Sequence, residues 1–284
     1  MNKSVFHELY YKAFKSGNIL FFFIGINTIV FLVLAIINVV DFLFLSKYAI
    51  AELIGLQLKV PSSLSKLPYQ FWSLLTYMFS HENFFHFFFN MLGLYWLGTI
   101  FLDFLNKRQF TFTYLAGGIA GALFYITFYN VFPVFSNALN NSYLIGASAS
   151  VMAITVAAAT LVPDFTIRLL LIGPVKLKYV AFFYVLTSFL FIKSSNSGGY
   201  IAHLGGAFLG FIYIKALQNG SDWSKLFLEK SKLTVVQNNR NSTPSNKLPD
   251  QEVIDKILDK ISVSGYDSLD RSEKEQLFNA SKKE

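Results

Sequence analysis

Cysteine is absent from the 284 residues, which excludes disulfides, thiolate metal sites and cysteine nucleophiles. Charge is scarce as well. Asp, Glu, Lys and Arg make up 14% of the chain, against about 25% in an average soluble domain, while 54% is hydrophobic and the mean hydropathy is +0.45. Acidic residues are rarest of all in the greasy part: residues 1–221 carry thirteen Lys/Arg but six Asp/Glu, whereas residues 222–284 carry eleven of each. These shortages exclude a soluble globular domain. They place the whole excess of +7 in a polytopic membrane part, where it reports topology and not nucleic-acid binding.

What the chain has in abundance is long uncharged runs. Stretches able to cross about 30 Å of hydrocarbon lie near 18–40, 84–102, 110–132, 147–162, 178–192 and 200–217. The sequence therefore predicts an all-α bundle of six membrane helices. The first run follows Lys3, Lys12 and Lys15 in the manner of a signal peptide, but it is too long and lacks a small-residue cleavage site, so it reads as a retained anchor. Lys47, Lys59, Lys66 and Lys193 fall on one side of the bundle. The N-terminal lysines, Lys107, Arg108, Arg168, Lys176, Lys178, Lys215, Lys225 and Lys230 fall on the other, and this bias puts both termini in the cytoplasm.

Residues 41–82, rich in Leu, Pro and aromatics, read as a segment lying in the membrane interface. The expected domains are a membrane core at 1–220, a polar linker at 221–248, clearest from Asn238 to Asn246, and a small cytoplasmic helical extension at 249–284. In that extension Val253, Ile254, Ile257, Leu258 and Ile261 recur at helical spacing. Ser272 with Glu275 reads as a capping box ahead of Leu277 and Phe278, and together these predict a helical hairpin.

Three polar islands interrupt the apolar spans: His86 to Asn90, Gly146 to Ser150, and Ala202 to Gly206. Polar groups at membrane depth are costly unless paired, so their default reading is a functional site. With the N-terminus inside, the second, fourth and sixth spans run in one direction, and His86, Asn90, Ser148 and His203 gather near the outer face. From Ser148 the fourth span holds about fifteen residues, roughly 22 Å, too short to cross alone. A helix starting below the membrane surface leaves a polar cavity above its N-terminus, where unpaired N–H groups and the helix dipole favour negative charge. A serine placed there has oxyanion donors beside it, and Gly146 allows a tight approach into the turn. His203, Gly206 and Gly210 share one helix face, whose glycines admit a neighbouring backbone, and His86 and Asn90 share another. No acidic residue starts an outer helix end, Glu82 falling in the preceding loop. A Ser/His dyad therefore fits better than a triad.

The order His86-x-x-x-Asn90, Gly146-x-Ser148, and Ala202-His203-x-x-Gly206-x-x-x-Gly210 resembles the rhomboid intramembrane serine proteases over residues 15–218. The resemblance implies Ser148 as nucleophile, His203 as general base and acid, His86 and Asn90 as the oxyanion-stabilising pair, Gly206 and Gly210 as packing glycines, and His81 as a structural histidine. It further implies cleavage of transmembrane protein substrates near their outer ends, entering past the fifth helix, with no cofactor, no metal and no nucleic-acid partner, in a bacterial cytoplasmic (inner) membrane. The sequence departs from the family pattern at Ala149, where glycine is usual, at Ser73 after Trp72, where arginine is common, and at Met152, where an aromatic ring often packs on the histidine.

Plainer readings stand beside these. Ser148 can be a helix N-cap, His203 a polar bridge between helices, and His86 with Asn90 an interhelical hydrogen-bond pair. The rival functions are a catalytically silent rhomboid-like protein that binds membrane proteins for quality control, and a small transporter. The second lacks a visible inverted repeat or acidic pathway.

Overall fold

A computed structural model of the chain describes residues 5–45, 49–169, 172–227 and 251–281. Helix α1 (Val5–Tyr10) runs through a π-helical turn at Tyr11–Lys15 and a break at Gly17 into α2 (Ile19–Leu45). Asn18 caps that helix, its side chain accepting from Leu20 N at 3.0 Å and Phe21 N at 3.3 Å. Next come α3 (Ala49–Leu58), the two-residue strand β1 (Val60–Pro61) and the single turn α4 (Ser73–Thr76). These pieces are tied by bonds from Trp72 Nε1 to Gln57 O, 3.0 Å, and from Thr76 Oγ1 to Leu58 O, 3.1 Å. Ser73 is fully buried, so the position after Trp72 packs inward.

The bundle continues with α5 (Phe84–Phe104), α6 (Lys107–Val131), β2 (Tyr143–Leu144), α7 (Ser148–Leu161), the hairpin of β3 (Thr166–Leu169) and β4 (Gly173–Lys176), α8 (Leu177–Leu190) and α9 (Ser197–Gln218). Strand β1 pairs antiparallel with β2, Val60 opposite Leu144, and so pins the loop before α7. Among the described residues α2, α5, α6 and α9 are each long and apolar enough to cross a membrane, and α7 and α8 are shorter apolar helices of 14 residues each. The six expected spans coincide with these six helices, and the protein is a multi-pass helical membrane protein.

Helix α7 is the hub because its residues are small. Every residue from Ala149 to Ala159 is buried, and α6 and α9 lie closest to it. Small residues let helix backbones approach and pack more closely than lipid tails pack against them. A Cβ on Gly206 would run into the carbonyl oxygen of Ala149, and one on Gly210 into that of Ala153. At the periphery α2 exposes Ile29, Leu32, Val33 and Ile36, apolar surface suited to lipid.

The residues form two compact units, and the second is the hairpin of α10 (Gln251–Ser264) and α11 (Arg271–Ser281). It buries Ile257 and Leu269. The capping box expected at Ser272 and Glu275 is not formed. The helix begins two residues earlier, with Glu273 N donating to Asp270 Oδ1 at 2.9 Å and Asp270 N to Glu273 Oε2 at 2.8 Å. Lys260 Nζ, 2.8 Å from Glu273 Oε2, holds the glutamate in place from α10, which decides between two sequence pairs of equal local quality. The expected linker at 221–248 begins too early: Trp223–Phe227 forms a 3-10 turn whose buried Ser224 accepts from Arg108 Nε at 2.9 Å, and this stretch belongs to the membrane unit. Residues 228–248, with Lys230 and the run from Asn238 to Asn246, lie outside the described residues.

Candidate active site

The start of α7 is set by the turn before it. Gly146 has φ +119°, a backbone conformation that side-chain-bearing residues rarely adopt, and its N–H donates to Tyr77 O at 3.0 Å. A Cβ at this position would lie 2.6 Å from the imidazole of His86, so that ring rests directly on Gly146, two residues before Ser148. Ala147 is the N-cap and offers no side-chain cap, which leaves the positive end of the α7 dipole facing the space above it. Ser148 is half-buried between buried Ala147 and Ala149.

His203 is brought in by α9. Gly206 and Gly210 seat that helix on the α7 backbone, and the histidine sits one turn nearer its N-terminus, 9% exposed. Its Nδ1 lies 3.2 Å from Ser188 Oγ on α8. The rings of Tyr184 and Tyr200 flank it edge-on, with centroids at 5.6 and 5.8 Å. Met152 is buried in the core, and these two tyrosines supply the aromatic packing that position 152 does not.

From α5 come His86 and Asn90. Asn83 caps the helix by accepting from His86 N at 2.9 Å, and Asn90 Nδ2 donates to His86 O at 2.8 Å. His81 is buried behind them, its ring edge-on to His86 with centroids 5.3 Å apart. Neither His81 ring nitrogen has a hydrogen-bond partner among the described residues.

Ser148, His203, His86 and Asn90 line one cavity of about 920 Å³, with Lys59 and Glu82 also on its wall. No hydrogen bond joins Ser148 to His203 in this structure; the two face the same space. Such an arrangement offers a hydroxyl, an imidazole, amide and imidazole donors and a helix N-terminus to one reacting carbonyl. Among the described residues no cluster of His, Asp or Glu is built to hold a metal ion. Ser188, Tyr184 and Tyr200 escaped the reading of the sequence. Their only signal there is spacing, Tyr184 and Ser188 at i, i+4 and Tyr200 and His203 at i, i+3.

Residues 68–219 match the family model described as the Rhomboid domain, and residues 242–283 match another described as a family of unknown function (DUF6576). RHOMBOID-like protein 12, mitochondrial, of Arabidopsis thaliana is 29% identical over 157 residues, which is 52% of this chain and 47% of that protein. The chain thus spans about half the length of this curated relative. The matched domain takes in more than half of the chain, from the turn before α4 to the end of α9, and by that match the chain belongs to the rhomboid family.

Proposed function

We propose that this chain is an intramembrane serine endopeptidase acting through a Ser148–His203 dyad. The observation that carries the reading is the shared cavity, on which a hydroxyl at a helix N-terminus, a buried imidazole and the His86–Asn90 pair converge. Ser148 Oγ attacks the substrate carbonyl carbon as His203 Nε2 takes its proton. The oxyanion is held by the Asn90 side-chain N–H not bonded to His86 O, by His86 and by the Ser148 backbone N–H at the positive end of α7. As the tetrahedral intermediate collapses, His203 gives the proton to the leaving amine, and water then releases the acyl group by the same exchange. No acidic side chain takes part.

The substrates are transmembrane proteins cut near their outer ends, a reading supported by the brevity of α7, 14 residues, whose N-terminal Ser148 lines the cavity. The lysine asymmetry supports both termini on the cytoplasmic side. The tail resembles an extension found in only some bacterial members of the family, and on that resemblance alone the membrane is proposed to be a bacterial cytoplasmic one. Purified protein in detergent should cleave a transmembrane reporter and lose that activity on Ser148→Ala. Cleavage at the wild-type level by Ser148→Ala would remove the mechanism, and a wild type without activity would favour a silent, substrate-binding member.

A further inference from the structure

We propose that Ser188 is a positioning residue for His203: its hydroxyl fixes the imidazole tautomer that leaves Nε2 free to accept the Ser148 proton. The inference rests on the protease reading above and gives the dyad the orienting partner it otherwise lacks.

Ser188 Oγ lies 2.8 Å from the backbone carbonyl oxygen of Tyr184 and 3.2 Å from His203 Nδ1. A carbonyl oxygen only accepts, and a serine hydroxyl has one proton to give. That proton goes to Tyr184 O. Toward the histidine the oxygen is then an acceptor, so Nδ1 carries a hydrogen and donates it. A neutral imidazole protonated at Nδ1 has its lone pair at Nε2, the form a general base needs.

Ser188 is fully buried, so bulk water does not compete for its lone pair. Its dipole, aligned by the Tyr184 carbonyl, also favours the imidazolium that forms when Ser148 gives up its proton. The hydroxyl thereby does with a dipole what a carboxylate does with a charge in a triad. The edge-on rings of Tyr184 and Tyr200 restrict ring tilt, so one bond suffices to set the plane. Three helices divide the work: α7 brings the nucleophile, α9 the base and α8 the group that orients it.

The chain has four histidines, which makes nitrogen-15 imidazole spectra of the labelled full-length protein in detergent tractable, with His203 assigned by its loss in His203→Ala. The wild type should show His203 protonated at Nδ1. Ser188→Ala, a change that helices tolerate, should shift that signal to a tautomer mixture and lower kcat about 10- to 100-fold at unchanged KM, the worth of one hydrogen bond to a group that becomes charged. Ser188→Thr, which keeps the hydroxyl, should restore the Nδ1–H form. An unshifted His203 signal in Ser188→Ala, or wild-type kcat in that variant, overturns the proposal. A wild type that neither cleaves a reporter nor reacts with a fluorophosphonate sinks the protease reading instead, and the tautomer spectra still decide the role of Ser188.

Discussion

Asn90 donates one side-chain N–H to the carbonyl oxygen of His86, one turn back on α5, and this bond aims the second N–H at the cavity. Asn90→Ala should therefore lower kcat about 10- to 10³-fold, the range for one oxyanion donor, whereas His203→Ala should abolish turnover. Gly146 is the other sensitive position. Alanine there combines a left-handed backbone, costing about 1–2 kcal/mol, with a collision against the His86 ring. Gly146→Ala should lower both Tm and reporter cleavage, and unchanged values of both would contradict the placement of His86 on this turn. Ser148, His203, His86 and Asn90 were legible as polar groups in apolar surroundings. Ser188 was not, because a serine bonded back to its own helix is common, and its second contact depends on how α8 meets α9.

At the level of elements the glycines of α9 matter most. Gly206 and Gly210 bring it against the α7 backbone, so Gly206→Val should destabilise the bundle by about 1–3 kcal/mol or more, read as a lower Tm in detergent. A second fastening ties the end of α9 to the start of α6. Asp222 accepts from Arg108 Nη2 at 2.8 Å, Tyr213 OH at 3.0 Å and Ser224 Oγ at 2.6 Å. Burial pushes the Asp222 carboxyl up, but the bonds from Ser224, Tyr213 and Arg108 outweigh it and hold the group below the usual carboxylate range. A lowered folded-state value stabilises above the unfolded value of about 4 and is lost as the pH falls through the folded one. Tm should accordingly fall with acidification below about pH 4, and Asp222→Asn should flatten that fall. An equal slope in both proteins would contradict the assignment. The long helices and the brevity of α7 could be read from uncharged run length. The two-residue strands and the Asp270–Glu273 cap could not, since the pairing of β1 with β2 and the hold of Lys260 on Glu273 are tertiary.

At the scale of the molecule the chain falls into two compact units that meet at 229/230, several residues beyond the change in composition at 221/222, because Asp222 and Ser224 are held by Arg108 in the first unit. The apolar unit holds the cavity and every proposed catalytic group, and the C-terminal hairpin has its own small core around Ile257 and Leu269. Deletion after Lys232 should leave the Tm and reporter cleavage of the membrane unit unchanged. The claim on which the rest depends is that Ser148 is the activated nucleophile, and mass spectrometry of the purified protein after reaction with a fluorophosphonate tests it most directly. The account predicts one adduct, on Ser148, that disappears in His203→Ala. An adduct on another residue, or an undiminished Ser148 adduct without the His203 imidazole, would contradict it.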